Sequence, residues 1–115
     1  MIAVIFEVEP RDGHEKDYFE RAANLRPLLE KMDGFISVER FRSLANENRY
    51  LSLSFWRDEA SVAAWRQTEE HRAAQSAGRA EIFADYRLRI AAVMRDYGLR
   101  ARDEAPSDAR VYHHA

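Results

Sequence analysis

A chain of 115 residues has room for one hydrophobic core, and a composition of 46% apolar and 33% charged residues excludes the disordered and fibrous classes. Its 18 basic and 20 acidic side chains give a formal charge of −2, which offers no general attraction to a phosphate backbone and argues against a nucleic-acid partner. There is no cysteine, no apolar run near the ~20 residues that span a bilayer and no basic leader in Met1 to Glu7, so disulfides, thiolate metal sites and a membrane partner are set aside and a cytoplasmic location is expected.

Ile2 to Glu9 begins as a short apolar run, the pattern of a strand covered on both faces and hence central in its sheet. Pro10 to Gly13 punctuates a turn, after which Tyr18, Phe19, Ala22, Leu25, Leu29 and Met32 recur at helical spacing. Pro27 lies inside that pattern and predicts a kink or break near Asn24 to Arg26, and Asp33-Gly34 supplies a left-handed stop. Phe35 to Ser43 alternates as a second strand, with Phe35, Ser37, Glu39 and Phe41 on one face and Ile36, Val38, Arg40 and Arg42 on the other. The polar turn Asn46 to Asn48 leads into a third strand, Tyr50 to Trp56, which reads as its hairpin partner.

Asp58 can cap a helix through Val62 and Trp65, and Thr68, followed by Glu69 and Glu70, can cap another up to Gly78. Tyr86 to Tyr97 reads as the last strand, with Leu88, Ile90, Ala92 and Met94 on one parity and Arg87, Arg89 and Arg95 on the other. The order β-α-β-β-α-β, an antiparallel sheet with helices on one face, is the α+β ferredoxin-like arrangement over residues 1–98, with 99–115 as a C-terminal extension. Helices cover only one face of such a sheet, and apolar residues on the other predict a homodimer. Val111 and Tyr112 in the extension can dock on a neighbour.

The segments Asp33 to Phe41 and Ser54 to Ala60, with Trp65 and then Glu70-His71-Arg72-Ala73-Ala74-Gln75, resemble the antibiotic biosynthesis monooxygenase superfamily in order and spacing. The resemblance covers about residues 1 to 97. It implies a dimeric α/β-barrel with a pocket between sheet and helices in each subunit. Members include cofactor-free oxygenases of polycyclic phenols, heme-degrading enzymes and proteins with no known substrate.

Trp65 matches a pocket tryptophan of that superfamily and can offer its indole N–H to a substrate oxygen, although an amphipathic helix also uses such a residue as a core anchor. His71 can act as a base near neutral pH, raised by Glu69 and Glu70 and lowered by the helix N-terminus; otherwise it is a polar residue at a helix start. The heme-degrading branch resembles a triad of Asn on the first strand, Trp on this helix and His ten residues later, and here those positions read Phe6, Trp65 and Gln75. Arg87 is a candidate donor to a developing oxyanion, against the alternative of a solvated face or an ion pair with Glu7 or Glu39. Phe6, Trp56, Tyr86 and Gln75 are the candidate substrate contacts. No metal site is expected, because the His113-His114 pair lacks further ligands.

These residues lead to a cofactor-independent monooxygenase that oxidises a small aromatic substrate, phenolic, anthrone-like or quinone-like, with O2. The alternatives are a protein that binds heme or another hydrophobic ligand, with or without degrading heme, and a non-catalytic dimerisation domain.

Overall fold

The computed structural model describes residues 1–113. In chain order it forms β1 (Ile2–Pro10), α1 (Glu15–Glu30), β2 (Phe35–Arg42), β3 (Tyr50–Trp56), α2 (Glu59–Arg66), α3 (Glu69–Ala77), a π-helical turn at Gly78–Ile82, β4 (Phe83–Ala92) and α4 (Ser107–His113). The strands make one antiparallel sheet in the order β2-β3-β1-β4, the ferredoxin-like arrangement. Among the described residues no helix is long and apolar enough to cross a membrane.

β1 lies between β3 and β4 from Ile2 to Val8, which explains its apolar residues on both faces. Residues directly opposite across a ladder share a face. Val4 therefore lies beside Ser54 and Ile90, and Phe6 beside Ser52 and Leu88, all toward the helices. The other face carries Ile5, Leu53 and Phe55, with an ion pair between Glu7 and Arg89 at 3.0 Å. Under α1 the core gathers around Val8, Tyr18 and Ile82, packed by Phe6, Tyr50 and Phe83.

Four local expectations change. α1 runs unbroken to Glu30 across Pro27: the bond lost there is the one to the Ala23 carbonyl, and both residues lie on the exposed side of the helix, where that carbonyl is open to solvent. In β2, Phe35 pairs with Trp56 and Ser37 with the adjacent Phe55, so Ile36 is an extra, bulged residue. The bulge turns Phe35 to the helix side, where its ring meets Trp56 at 5.4 Å, while Ser37, Glu39 and Phe41 keep the opposite face. The last strand begins at Phe83 and ends at Ala92, with the π-helical turn ahead of it. Gly34 is left-handed at φ 86°, as expected, but it opens β2 and does not cap α1, whose last turn ends at Lys31 in right-handed geometry.

Both predicted caps form. Asp58 accepts from the Ser61 amide at 2.8 Å and Thr68 from the His71 amide at 3.2 Å. Beyond β4 the chain is irregular until α4. The side chains of 111–113 and all of 114–115, and with them the expectations for Val111, Tyr112 and the His113-His114 pair, lie outside the described residues.

Candidate active site

Between the sheet and α1, α2 and α3 lies an open-mouthed cavity of about 250 Å³. β1 and β4 supply its floor through Val4, Phe6, Leu88 and Ile90; Leu25 and Leu29 of α1 and Val62 of α2 cover it. Of the residues singled out in the sequence, Phe6, Trp56, Trp65, His71 and Gln75 all line this one space.

The two tryptophans differ. Trp56 is 1% exposed and donates its indole N–H to Ser54 Oγ at 3.0 Å, so it is a wall with its polar group already used. Trp65 is half-buried, and its ring meets the His71 imidazole edge-on at 5.4 Å. Thr68 holds these two residues together: its hydroxyl donates to the Trp65 carbonyl at 2.9 Å and accepts from the His71 amide, so the end of α2 and the start of α3 are tied at one side chain.

Burial pushes the His71 imidazole below its ordinary pKa; a backbone hydrogen bond at Arg66 opposes this, and the charge of Arg66 adds to it. Glu69 and Glu70, expected to raise it, are not among its causes. A depressed pKa leaves the ring neutral at pH 7, with one nitrogen able to accept a proton. Gln75 sits one helical turn further along the same wall.

Two of the selected residues fall outside the cavity. Arg87 stands opposite Glu7, on the sheet face away from the helices, so it cannot donate to anything bound in the cavity. β4 alternates, and Leu88 and Ile90 hold the cavity parity. Tyr86 has the helix-side parity, opposite Val8, but it packs against Phe6 and Phe83 at 5.7 Å and forms no part of the lining.

The sequence reading missed the cavity's charge. Arg21, Arg26, Arg40 and Arg66 line it and no carboxylate does. Tyr18, read only as a helix-face aromatic, is 6% exposed, and its hydroxyl accepts from Arg40 Nε at 3.1 Å. The signal was present in β2, where Val38 and Arg40 share one parity. Among the described residues no cluster of three or more histidine or acidic side chains is placed to hold a metal.

The sequence profile of the antibiotic biosynthesis monooxygenase family matches residues 1–77, from β1 through α3. The chain belongs to this family. A family relative, jasmonate monooxygenase ABM of Pyricularia oryzae, is 46% identical over 93 residues, covering 81% of this chain and 43% of the relative. The chain thus spans less than half the length of that protein. Another, YqjZ of Bacillus subtilis, is 31% identical over 81% of this chain and 79% of its own length. Among solved structures, Rv0793 from Mycobacterium tuberculosis superposes with a TM-score of 0.76 at 12% identity, covering 84% of this chain and 98% of that one. PA3566 from Pseudomonas aeruginosa gives 0.70 at 13%, covering 81% and 93%. At such identities these two speak for the fold alone.

Proposed function

We propose that this protein is a monooxygenase that uses O2 without a bound cofactor to oxidise a small, flat, phenolic, anthrone-like or quinone-like substrate. The observation that carries the reading is the His71 imidazole set edge-on to Trp65 at 5.4 Å in the wall of the cavity, where burial pushes its pKa down. Family membership supports the reaction type, as does the monooxygenase name of the 46% identical relative. Phe6 and Gln75 replace the Asn and His of the heme-degrading pattern, which favours a smaller molecule over heme.

Dioxygen reacts slowly with closed-shell molecules, so the substrate must become electron-rich in place. In the anthrone-like case, His71 takes a proton from the methylene flanked by aromatic rings. The carbanion gives an electron to O2, and the two radicals join through a new C–O bond. The resulting peroxide takes the proton back from His71 and loses water, leaving a ketone, so CH2 and O2 become C=O and H2O with no outside reductant. The Trp65 N–H is the candidate donor to the ring oxygen that carries the developing charge, and the apolar floor of Val4, Phe6, Leu88 and Ile90 offers the carbanion no proton.

A second copy of the chain is proposed to cover the sheet face that bears Ile5, Leu53 and Phe55. The test of activity is oxygen uptake by chelator-treated protein with anthrone, hydroquinone and jasmonic acid, using isotopically labelled dioxygen. One labelled atom in the product and one in water supports the proposal. Uptake that appears only on addition of reduced flavin or heme overturns its cofactor-free part, and uptake confined to jasmonic acid overturns the aromatic substrate class.

A further inference from the structure

We infer that the mouth of the cavity is an anion-binding site in which Arg40 and Tyr18 hold the carboxylate of a small apolar acid. The inference rests on the monooxygenase reading of the same cavity and names the class of its substrate.

Charge is the first argument. Four arginines and no carboxylate line the cavity. Arg26 is engaged on its own helix with Glu30 at 2.9 Å, whereas Arg21, Arg40 and Arg66 form no ion pair with a described carboxylate. A cavity with apolar walls and unneutralised cations at its rim raises the local concentration of anions and repels cations.

Geometry picks out Arg40 among them. Its Nε donates to Tyr18 Oη, and its guanidinium carbon lies 5.4 Å from the Tyr18 ring centroid. Those two contacts hold the exposed Arg40 side chain against Tyr18 through its Nε and leave the terminal nitrogens facing outward as a pair of donors, the arrangement that suits a carboxylate better than a single point charge.

Tyr18 completes the site. Its oxygen accepts from Arg40, so its own proton must be donated elsewhere, and no acceptor for it stands among the described residues. Burial keeps that proton on the phenol despite the nearby guanidinium. A buried hydroxyl facing a cavity with a donor to spare gains a full charge-assisted hydrogen bond when an anion enters. The site sits on α1 and β2, and the base His71 on α3, so head and reacting atom are held by different elements.

The probe pair is 2-naphthoate and methyl 2-naphthoate, alike in shape and different in charge, titrated calorimetrically against the folded protein. The acid is expected to bind about tenfold tighter than the ester, or more. Arg40→Met is expected to bring the two within about threefold, and Tyr18→Phe to weaken the acid several-fold while leaving the ester unchanged. Arg40→Lys keeps the charge without the planar fork and is expected to fall between, which guards against loss of folding in the methionine variant. Equal binding of acid and ester, no binding of either by the wild type, or a preference that survives Arg40→Met but not Arg66→Met overturns the inference. Oxygen uptake on uncharged phenols separates it from the function proposed above: uptake without acid preference removes the anion site alone, and acid preference without uptake on any substrate removes the reaction and leaves the site.

Discussion

Replacing His71 with asparagine tests the base and its environment together. The imidazole is partly buried against Trp65, and the ring contact it loses is worth about 0.5–1.5 kcal/mol. At about pH 8, where the ring is neutral in both folded and unfolded chains, the variant should therefore unfold within that margin of the wild type. Turnover should fall by ~10²–10⁴, the usual contribution of a positioned base. The pH dependence carries the sharper information. Burial holds the folded-state pKa of His71 below 6.5, so as pH falls through that value the unfolded chain takes up a proton that the folded chain refuses. Wild-type stability must then decline from His71, and the decline levels off only once the folded ring is protonated too. In the asparagine variant that part of the slope disappears. Urea unfolding followed by circular dichroism between about pH 5 and pH 8 measures it, and an oxygen electrode measures turnover. Turnover within about threefold of wild type would show that His71 is not the base, and identical pH slopes would show that its ring is solvated.

Truncating Trp56 to alanine empties a fully buried site and removes the donor to Ser54, so a loss of ~3–5 kcal/mol is expected from urea unfolding; Trp65→Ala, losing a ring already open to the cavity, should cost clearly less, and the reverse order would contradict the burial assigned to them. Gly34→Ala places a Cβ against Ser61 at a residue with φ 86°, whereas Gly13→Ala at φ 83° meets open space. Both should pay the left-handed strain of ~1–2 kcal/mol, and the Gly34 variant should lose measurably more in thermal unfolding. Equal melting temperatures for the two would mean that β2 and α2 are not packed as described. Thr68→Ala should cost ~1 kcal/mol as a lost cap and also lower kcat, because it frees the junction that sets Trp65 against His71; loss of stability with unchanged kcat would limit Thr68 to a structural part.

The order of the elements, the central place of β1, both helix caps and five residues of the cavity are legible in the sequence, because alternation and capping are local patterns that the tertiary structure leaves in force. Phe35 was assigned the wrong face because a bulge adds one residue without changing the composition of the strand, so parity counted from the sequence slips by one. Arg87 was misplaced for a different reason. Its parity was read correctly, but nothing local says which parity of an edge strand meets the helices until Leu88 and Ile90 are seen lining the cavity. The Arg40 and Tyr18 pair joins residues 22 positions apart in sequence, and side-chain spacing along either element gives no hint of the other.

The π-helical turn at Gly78–Ile82 has a consequence for relatives of differing length. It places Ile82, 3% exposed, in the core beside Val8 and Tyr18, and its first residue, Gly78, sits so near the Phe83 ring that a Cβ there would collide with it. Deleting one residue here would let the turn close to α geometry, which spends about one residue fewer per turn and so keeps the strand that follows in phase. Sequences that share this core can therefore differ by one residue between α3 and β4 and still begin the last strand in the same place. The turn between β2 and β3 has less freedom, because Arg49 pairs with Glu9 at 2.7 Å and Asn48 donates to the Pro10 carbonyl at 3.1 Å, so a one-residue gap within 78–82 marks loss of the π turn before it marks a divergent protein.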